Sequence, residues 1–179
     1  MKILKGILLF IAGTVALLLI IALFVDKDYA VKREITINKP KSEVFDYLKL
    51  LRNQDNFSVW ATRDASMKKE FRGTDGTVGF VSAWDSEMNE VGKGEQEIKK
   101  ITEGDRIDFE LRFIKPFEAT DNAYMSTESV TDSSTKVTWG FNGRMDYPMN
   151  LMLLTMNMDE MLGKDLQEGL VNLKANLEK

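Results

Sequence analysis

The chain has 179 residues, 29% of them charged, a formal net charge of -4, and neither cysteine nor histidine. Those two absences exclude disulfides, an N-terminal lipid-modified cysteine, a Cys nucleophile, a Ser-His-Asp triad and an ordinary zinc site. Any acid-base chemistry falls to carboxylates, Tyr or Lys.

Ile7 to Val25 is an unbroken run of nineteen uncharged, mostly apolar residues, preceded by Lys2 and Lys5. At ~1.5 Å per residue it nearly crosses a ~30 Å hydrocarbon core. A secretory signal has a shorter apolar region of ~7–15 residues and a small-x-small cleavage site. Nothing between Ala22 and Ala30 reads well as such a site. The run reads as an uncleaved single-pass transmembrane helix over 7–25, within an anchor of residues 1–28. A cleaved signal and a buried core helix are the alternatives. Two lysines and the chain's amine before the span, against Asp26-Lys27-Asp28 after it, favour a cytoplasmic N-terminus and an extracytoplasmic domain on the cell membrane. Lys27, Lys32, Arg33 and Lys39 weaken that contrast.

Residues 29–179 read as one domain with room for a substantial core. From Asp26 onward, 22 Lys and Arg (24 less Lys2 and Lys5) face 28 Asp and Glu, a net of -6 over 154 residues. With no basic patch and no aromatic-basic interleaving, no nucleic-acid partner is expected.

Val31 to Asn38 alternates and is β-branched, predicting a first strand. Pro40 stops the ladder and opens a helix whose apolar face is Val44, Phe45, Leu48 and Leu51. Asn53 to Ala61 reads as a second short helix or loop with Phe57 and Trp60 turned inward. From Met67 to Asp146 the period becomes two. Turn residues at Gly73-Thr74-Asp75-Gly76, Glu90 to Gly94, Glu103-Gly104-Asp105, Lys115-Pro116 and Asp132-Ser133-Ser134 divide it into six strands. In one, Val78, Phe80 and Trp84 share a face with Ser82. In another, Ile107, Phe109, Leu111 and Phe113 alternate with Asp108, Glu110 and Arg112. In the last, Val137, Trp139, Phe141 and Met145 alternate with Lys136, Thr138, Asn142 and Arg144. One face is buried and the other wet, as antiparallel sheets allow. Lys99-Lys100 before Ile101 predicts a bulge.

Leu151, Leu154, Met158, Leu162, Leu166, Leu170, Leu173 and Leu177 recur at steps of three or four, the stripe of an amphipathic helix. Pro148 suits its first turn, and Asn157 with Glu160 forms a second start inside the segment. Gly163 and Gly169 border the stripe, where each costs ~1 kcal/mol relative to Ala. Burying eight large apolar side chains at ~1.5–3 kcal/mol each outweighs that, so the glycines serve close approach to another layer. The economical packing is α+β: a curved antiparallel sheet of about seven strands, helices on one face, and a pocket between sheet and last helix.

The order of elements and three motifs resemble the START-like helix-grip proteins, the SRPBCC superfamily, and within it the polyketide cyclase/dehydrase-like branch. The motifs are Ile37-x-x-Pro40-x-x-x-Val44-Phe45, Thr135-Lys136-Val137-Thr138-Trp139 and Gly163-x-Asp165-Leu166-x-x-Gly169-Leu170-x-x-Leu173-Lys174. The resemblance spans residues 31–178. It implies the helix-grip fold, a sheet wrapped around a long C-terminal helix, and a deep apolar cavity for lipids, quinones, polyketides or other hydrophobic molecules. It implies no single chemistry, since members include carriers, cyclases and regulators.

The expected inward faces supply Trp60, Phe80, Trp84, Phe113, Met125, Trp139 and Phe141 as ligand-binding residues. Met152 and Met156 would stand at the mouth, in a segment from Met145 to Met161 that holds six of the ten methionines. Unbranched thioethers repack readily around a ligand, although core packing of a helix explains them as simply. Asp121 is the one carboxylate whose parity turns it into such a cavity, alongside Ala123, Met125 and Thr127. Asp108, Glu110, Glu95 and Glu97 point outward. No catalytic residue, metal ligand or cofactor is assigned. The expected function is membrane-tethered binding or carriage of a hydrophobic small molecule. A protein-interaction module with a filled interior and a cyclase or lyase acting through a single buried charge are the alternatives.

Overall fold

The structure is a computed structural model describing residues 2–179. Its elements are α1 (Lys2–Ala22), β1 (Asp28–Ile37), α2 (Lys41–Lys49), α3 (Val59–Arg63), β2 (Lys68–Arg72), β3 (Val81–Asp85), β4 (Lys93–Thr102), β5 (Arg106–Lys115), β6 (Ala119–Thr131), β7 (Ser134–Arg144) and α4 (Met158–Leu177). Two 3-10 segments, Leu51–Asn56 and Met149–Leu154, precede α3 and α4.

The seven strands form one antiparallel sheet in the order β1-β7-β6-β5-β4-β3-β2. Each hairpin connection joins sequence neighbours, and only β1 returns to the far end to pair with β7, Val31 opposite Phe141 and Ile35 opposite Val137. The expected bulge falls between Ile98 and Lys100 in β4. Alternation then sorts the faces. Ile98, Ile107, Phe109, Met125 and Val137 are buried beneath the helices. On the other face Arg112 reaches Glu95 and Glu97 at 2.7 Å each, keeping those carboxylates out of the interior as parity requires.

α4 lies across the sheet and runs in the same sense as β1. Arg33 Nη1 donates to Asp159 Oδ1 at 2.8 Å near the start of α4, and Lys174 Nζ donates to the Thr36 carbonyl at 2.6 Å near its end. Leu166, Leu170 and Leu173 are fully buried. A Cβ on Gly169 would stand 2.7 Å from Trp139 Cζ3, and one on Gly163 would stand 2.0 Å from Arg33 Nη2. Both glycines are there because a side chain and the helix backbone occupy nearly the same space.

The long helix is shorter than its stripe suggests. It begins at Met158, capped by Asn157, whose side chain accepts from the Glu160 amide at 3.1 Å. Pro148 instead precedes the 3-10 segment Met149–Leu154, and Leu154 is exposed. The apolar period runs through Thr155 to Asn157, but the Asn157 cap supplies a stronger start than continuation does. Likewise Val78 lies in the turn before β3 and is exposed, while Phe80 is wholly buried.

The two ends of the sheet differ. At one end α2 packs on β6 and β7, and its Val44, Phe45 and Leu48 join Ile37, Phe80, Ile98, Ile107 and Met125 in one buried core. Lys41 and Lys49 of α2 pair with Asp105 and Glu103 of the β4–β5 turn, closing that end. At the other end no comparable plug is present among the described residues.

Candidate functional site

Where α2 no longer covers the sheet, a cavity of about 390 Å³ opens between sheet and α4. Its floor is built from inward positions of successive strands: Tyr29 of β1, Trp139 and Phe141 of β7, Asp121 and Ala123 of β6, Leu111 and Phe113 of β5, Gln96 of β4 and Trp84 of β3. Leu162 and Leu166 of α4 form the roof, and Gln54, Ser58 and Trp60 form one side. The volume falls in the range of ~300–1,000 Å³ common to small-molecule sites, and the wall is mainly apolar as such sites are.

The aromatic rings hold one another in place. Trp139 stands edge-on to Phe57 and Trp60, with centroids 5.6 and 6.0 Å away. Tyr29 stacks on Phe141 at 6.1 Å, and Trp84 meets Phe113 edge-on at 6.1 Å. Trp84 Nε1 also donates to the Val91 carbonyl at 3.2 Å, fixing the ring beside the mouth. The mouth is framed by the β3–β4 turn, with Asn89, Glu90 and Val91, and by the β5–β6 turn, with Lys115, Pro116 and Phe117. The first turn leans on the second at Gly92. Its φ of +63° and a would-be Cβ 2.1 Å from the Lys115 carbonyl oxygen exclude other residues.

Of the residues expected from sequence, Trp60, Trp84, Phe113, Trp139 and Phe141 stand in this wall. Phe80 and Met125 do not line it: they lie at the closed end, Phe80 stacked on Phe71 at 6.1 Å and both inside the packed core. Period two gives the face of a strand residue and not its distance along the cavity, and these two lie in the packed core that α2 completes. Met152 and Met156 also stand outside the wall, because the chain turns through the separate 3-10 segment before α4 begins. The wall adds Tyr29, Leu111, Ala123, Gln96, Leu162 and Leu166. Parity with Val31, Phe109 and Met125 carried the signal for the first three.

Asp121 faces inward, 6% exposed. Its Oδ1 accepts the Arg144 amide at 3.0 Å, standing in for a backbone acceptor where the β6–β7 ladder ends at Asn122 and Asn142. Burial raises its carboxyl above the ordinary Asp range, against the smaller opposing effect of that hydrogen bond. Burial, helped by the Asp121 charge, pushes the Tyr29 hydroxyl up to about 12. Because the folded-state value of Asp121 is raised, its contribution is complete below the ordinary Asp range and is lost as pH rises through the folded value. Asp121→Asn and the parent should therefore have similar urea midpoints at about pH 3, and the variant should be the more stable at about pH 7. A parent that gains on the variant as pH rises would show that the carboxylate is stabilised in place. Among the described residues no three His, Cys, Asp or Glu side chains gather as a metal site.

No family model matches the sequence, and no curated protein matches it. Solved structures do. A protein of Nitrosospira multiformis aligns with TM-score 0.55 and 19% identity over 82% of this chain and 94% of that one. Major latex-like protein 151 of Panax ginseng aligns with TM-score 0.58 and 13% identity over 84% and 98%. The di-domain ARO/CYC BexL of the BE-7585A biosynthetic pathway aligns with TM-score 0.58 and 11% identity over 83% of this chain and 49% of that one. The strand order, the gripped helix and these neighbours agree on the fold: an antiparallel sheet wrapped around a long C-terminal helix, the helix-grip fold.

Proposed function

We propose that this chain binds or carries a hydrophobic small molecule, of lipid, quinone or polyketide-like class, while α1 tethers it to the cell membrane with the remaining residues extracytoplasmic. The observation that carries the reading is the mainly apolar cavity of about 390 Å³ between the sheet and α4. Unfilled apolar volume costs ~24 cal/mol per Å³ in core-truncation series, so a void of this size favours an occupant. Gln54 Nε2, at the wall, is buried without a hydrogen-bond partner, and an acceptor on the ligand would satisfy it. The tether rests on α1 itself: 21 residues, apolar, with every described side chain but Ala22 exposed. A filled interior would have favoured a protein-interaction module, and the open cavity does not.

The test is to purify the full chain in mild detergent, extract it and identify bound molecules by mass spectrometry, then titrate the emptied protein with menadione and oleate. A stoichiometric apolar molecule in the extract and saturable quenching of Trp fluorescence are expected, with Trp84 and Trp139 as reporters. An extract free of bound molecules together with no saturable quenching would overturn the reading.

Asp121 supports a second reading, a cyclase or lyase, because a single carboxyl with a raised pKa faces the cavity beside Tyr29. Incubating the recovered molecule with the protein and finding its mass and chromatography unchanged would remove it.

A further inference from the structure

We propose that the open end of the sheet is a bilayer-docking face, pressing the cavity mouth against the same membrane that α1 enters. The inference rests on the tether and cavity readings above.

Three observations converge on one end of the molecule. First, α1 does not leave on a loose linker. Ala22 is fully buried, and Asn150 Nδ2 donates to the carbonyls of Ala22 at 2.7 Å and Val25 at 2.9 Å. The Met145 amide donates to the Lys27 carbonyl at 2.8 Å, so the exit is held at both of its ends. Second, the antiparallel registers place β1's start, β7's end, β5's end, β4's start and β3's end on the same side, through Asp28 opposite Arg144, Lys93 opposite Lys115 and Asp85 opposite Lys93. The two turns that frame the mouth therefore sit on the side from which α1 leaves. Third, that side carries exposed apolar side chains: Phe24 at the exit, Met149, Met152 and Leu154 on the 3-10 segment, and Met88 and Phe117 on the mouth turns, with Phe117 77% exposed. The far end is more polar: its turns Glu103-Gly104-Asp105 and Asp132-Ser133-Ser134 carry no apolar side chain, and its exposed Val78 and Val130 are scattered singly.

Charge decides what kind of membrane surface fits. Arg144 is paired with Asp28 and Asp146 at 2.9 Å each, and Lys93 with Asp85 at 2.7 Å. Lys27, Lys68 and Lys115 on that side form no ion pair among the described residues, but Asp26, Glu87, Glu90 and Glu118 stand on the same segments. No excess of positive charge therefore favours anionic headgroups, and the contact is made by apolar insertion at the interface without a need for anionic lipid. In this arrangement a ligand passes between bilayer and cavity without crossing water.

The absence of cysteine makes the test direct. Single cysteines are introduced in the full chain as Phe117→Cys, Met149→Cys, Ser133→Cys and Leu17→Cys, labelled with an environment-sensitive fluorophore, and reconstituted in phosphatidylcholine nanodiscs. Labels at 117 and 149 should be quenched by nitroxide-bearing lipid and shielded from iodide, the label at 133 the reverse, and the label at 17 quenched by lipid throughout. If 17 is in lipid while 117 and 149 are as open to iodide as 133, docking is overturned and the tether stands. If 17 is open to iodide as well, the tether itself fails and docking with it. Shielding at 117 that appears only at high protein density assigns the face to a second copy and overturns the proposal. Shielding that requires anionic lipid overturns the apolar mode of contact.

Discussion

Replacing Gly169 by Leu should lower stability by about 3 kcal/mol, the upper part of the range for overpacking. The space is already taken: a Cβ there would meet Trp139 Cζ3 at 2.7 Å and the Phe57 carbonyl oxygen at 3.4 Å. Trp139 cannot slide sideways, being flanked by Phe57 and Trp60, and the only free direction is into the cavity. Gly169→Ala provides the graded comparison. It gains ~1 kcal/mol of helix propensity, but its Cβ alone meets Trp139 Cζ3 at 2.7 Å, so its urea midpoint should fall between those of the parent and Gly169→Leu. Val171→Leu, at a half-exposed position on the same helix, controls for generic effects. If Gly169→Leu leaves the midpoint unchanged, the helix is not held close to Trp139.

Ala123→Phe should abolish ligand binding, by at least about tenfold in Kd, or ~1.4 kcal/mol, without unfolding the chain. Ala123 lies mid-strand in β6, opposite Phe109 and Phe141, and its methyl is part of the cavity floor. A ring added there enters empty volume, so the overpacking that defeats Gly169→Leu is absent and lost contacts are regained. Binding is read by menadione quenching and stability by the urea midpoint. Loss of binding with an unchanged or raised midpoint supports occupancy of this cavity, and undiminished quenching would move the ligand elsewhere. The pair of substitutions separates two kinds of proximity to Trp139, one on its packed side and one on its open side.

Much of this architecture was legible in the sequence because it is written in local periods. Alternation around Ile107–Phe113 and Val137–Phe141 gave strands and faces, and the Leu166–Leu173 spacing gave the gripping helix. Even the inward turn of Asp121 followed from parity alone. What parity does not encode is depth. Phe80 and Met125 point inward as surely as Trp84 and Phe113, yet the first two lie in the packed core that α2 completes and the second two meet open space. That difference depends on where α2, distant in sequence from both Phe80 and Met125, comes to rest. The start of α4 was misplaced for a related reason: an apolar period persists from Leu151 through Leu162, and the cap at Asn157 interrupts the backbone without interrupting the period. Met152 and Met156 were therefore placed at a mouth that belongs to the β3–β4 and β5–β6 turns.

The clamp made by Asn150 bears on how such a molecule would find its cargo. Five residues separate Ala22 from Asp28, enough for a free swivel if nothing held them. A swivelling body would lose orientational freedom at every encounter with the leaflet, and side-chain and loop ordering of that kind weighs against each association. With the joint fixed by two hydrogen bonds from one side chain, that ordering is settled during folding. With α1 in a bilayer, the search for a ligand then becomes two-dimensional, governed by lateral diffusion and the mole fraction of the ligand in the leaflet rather than by its concentration in water.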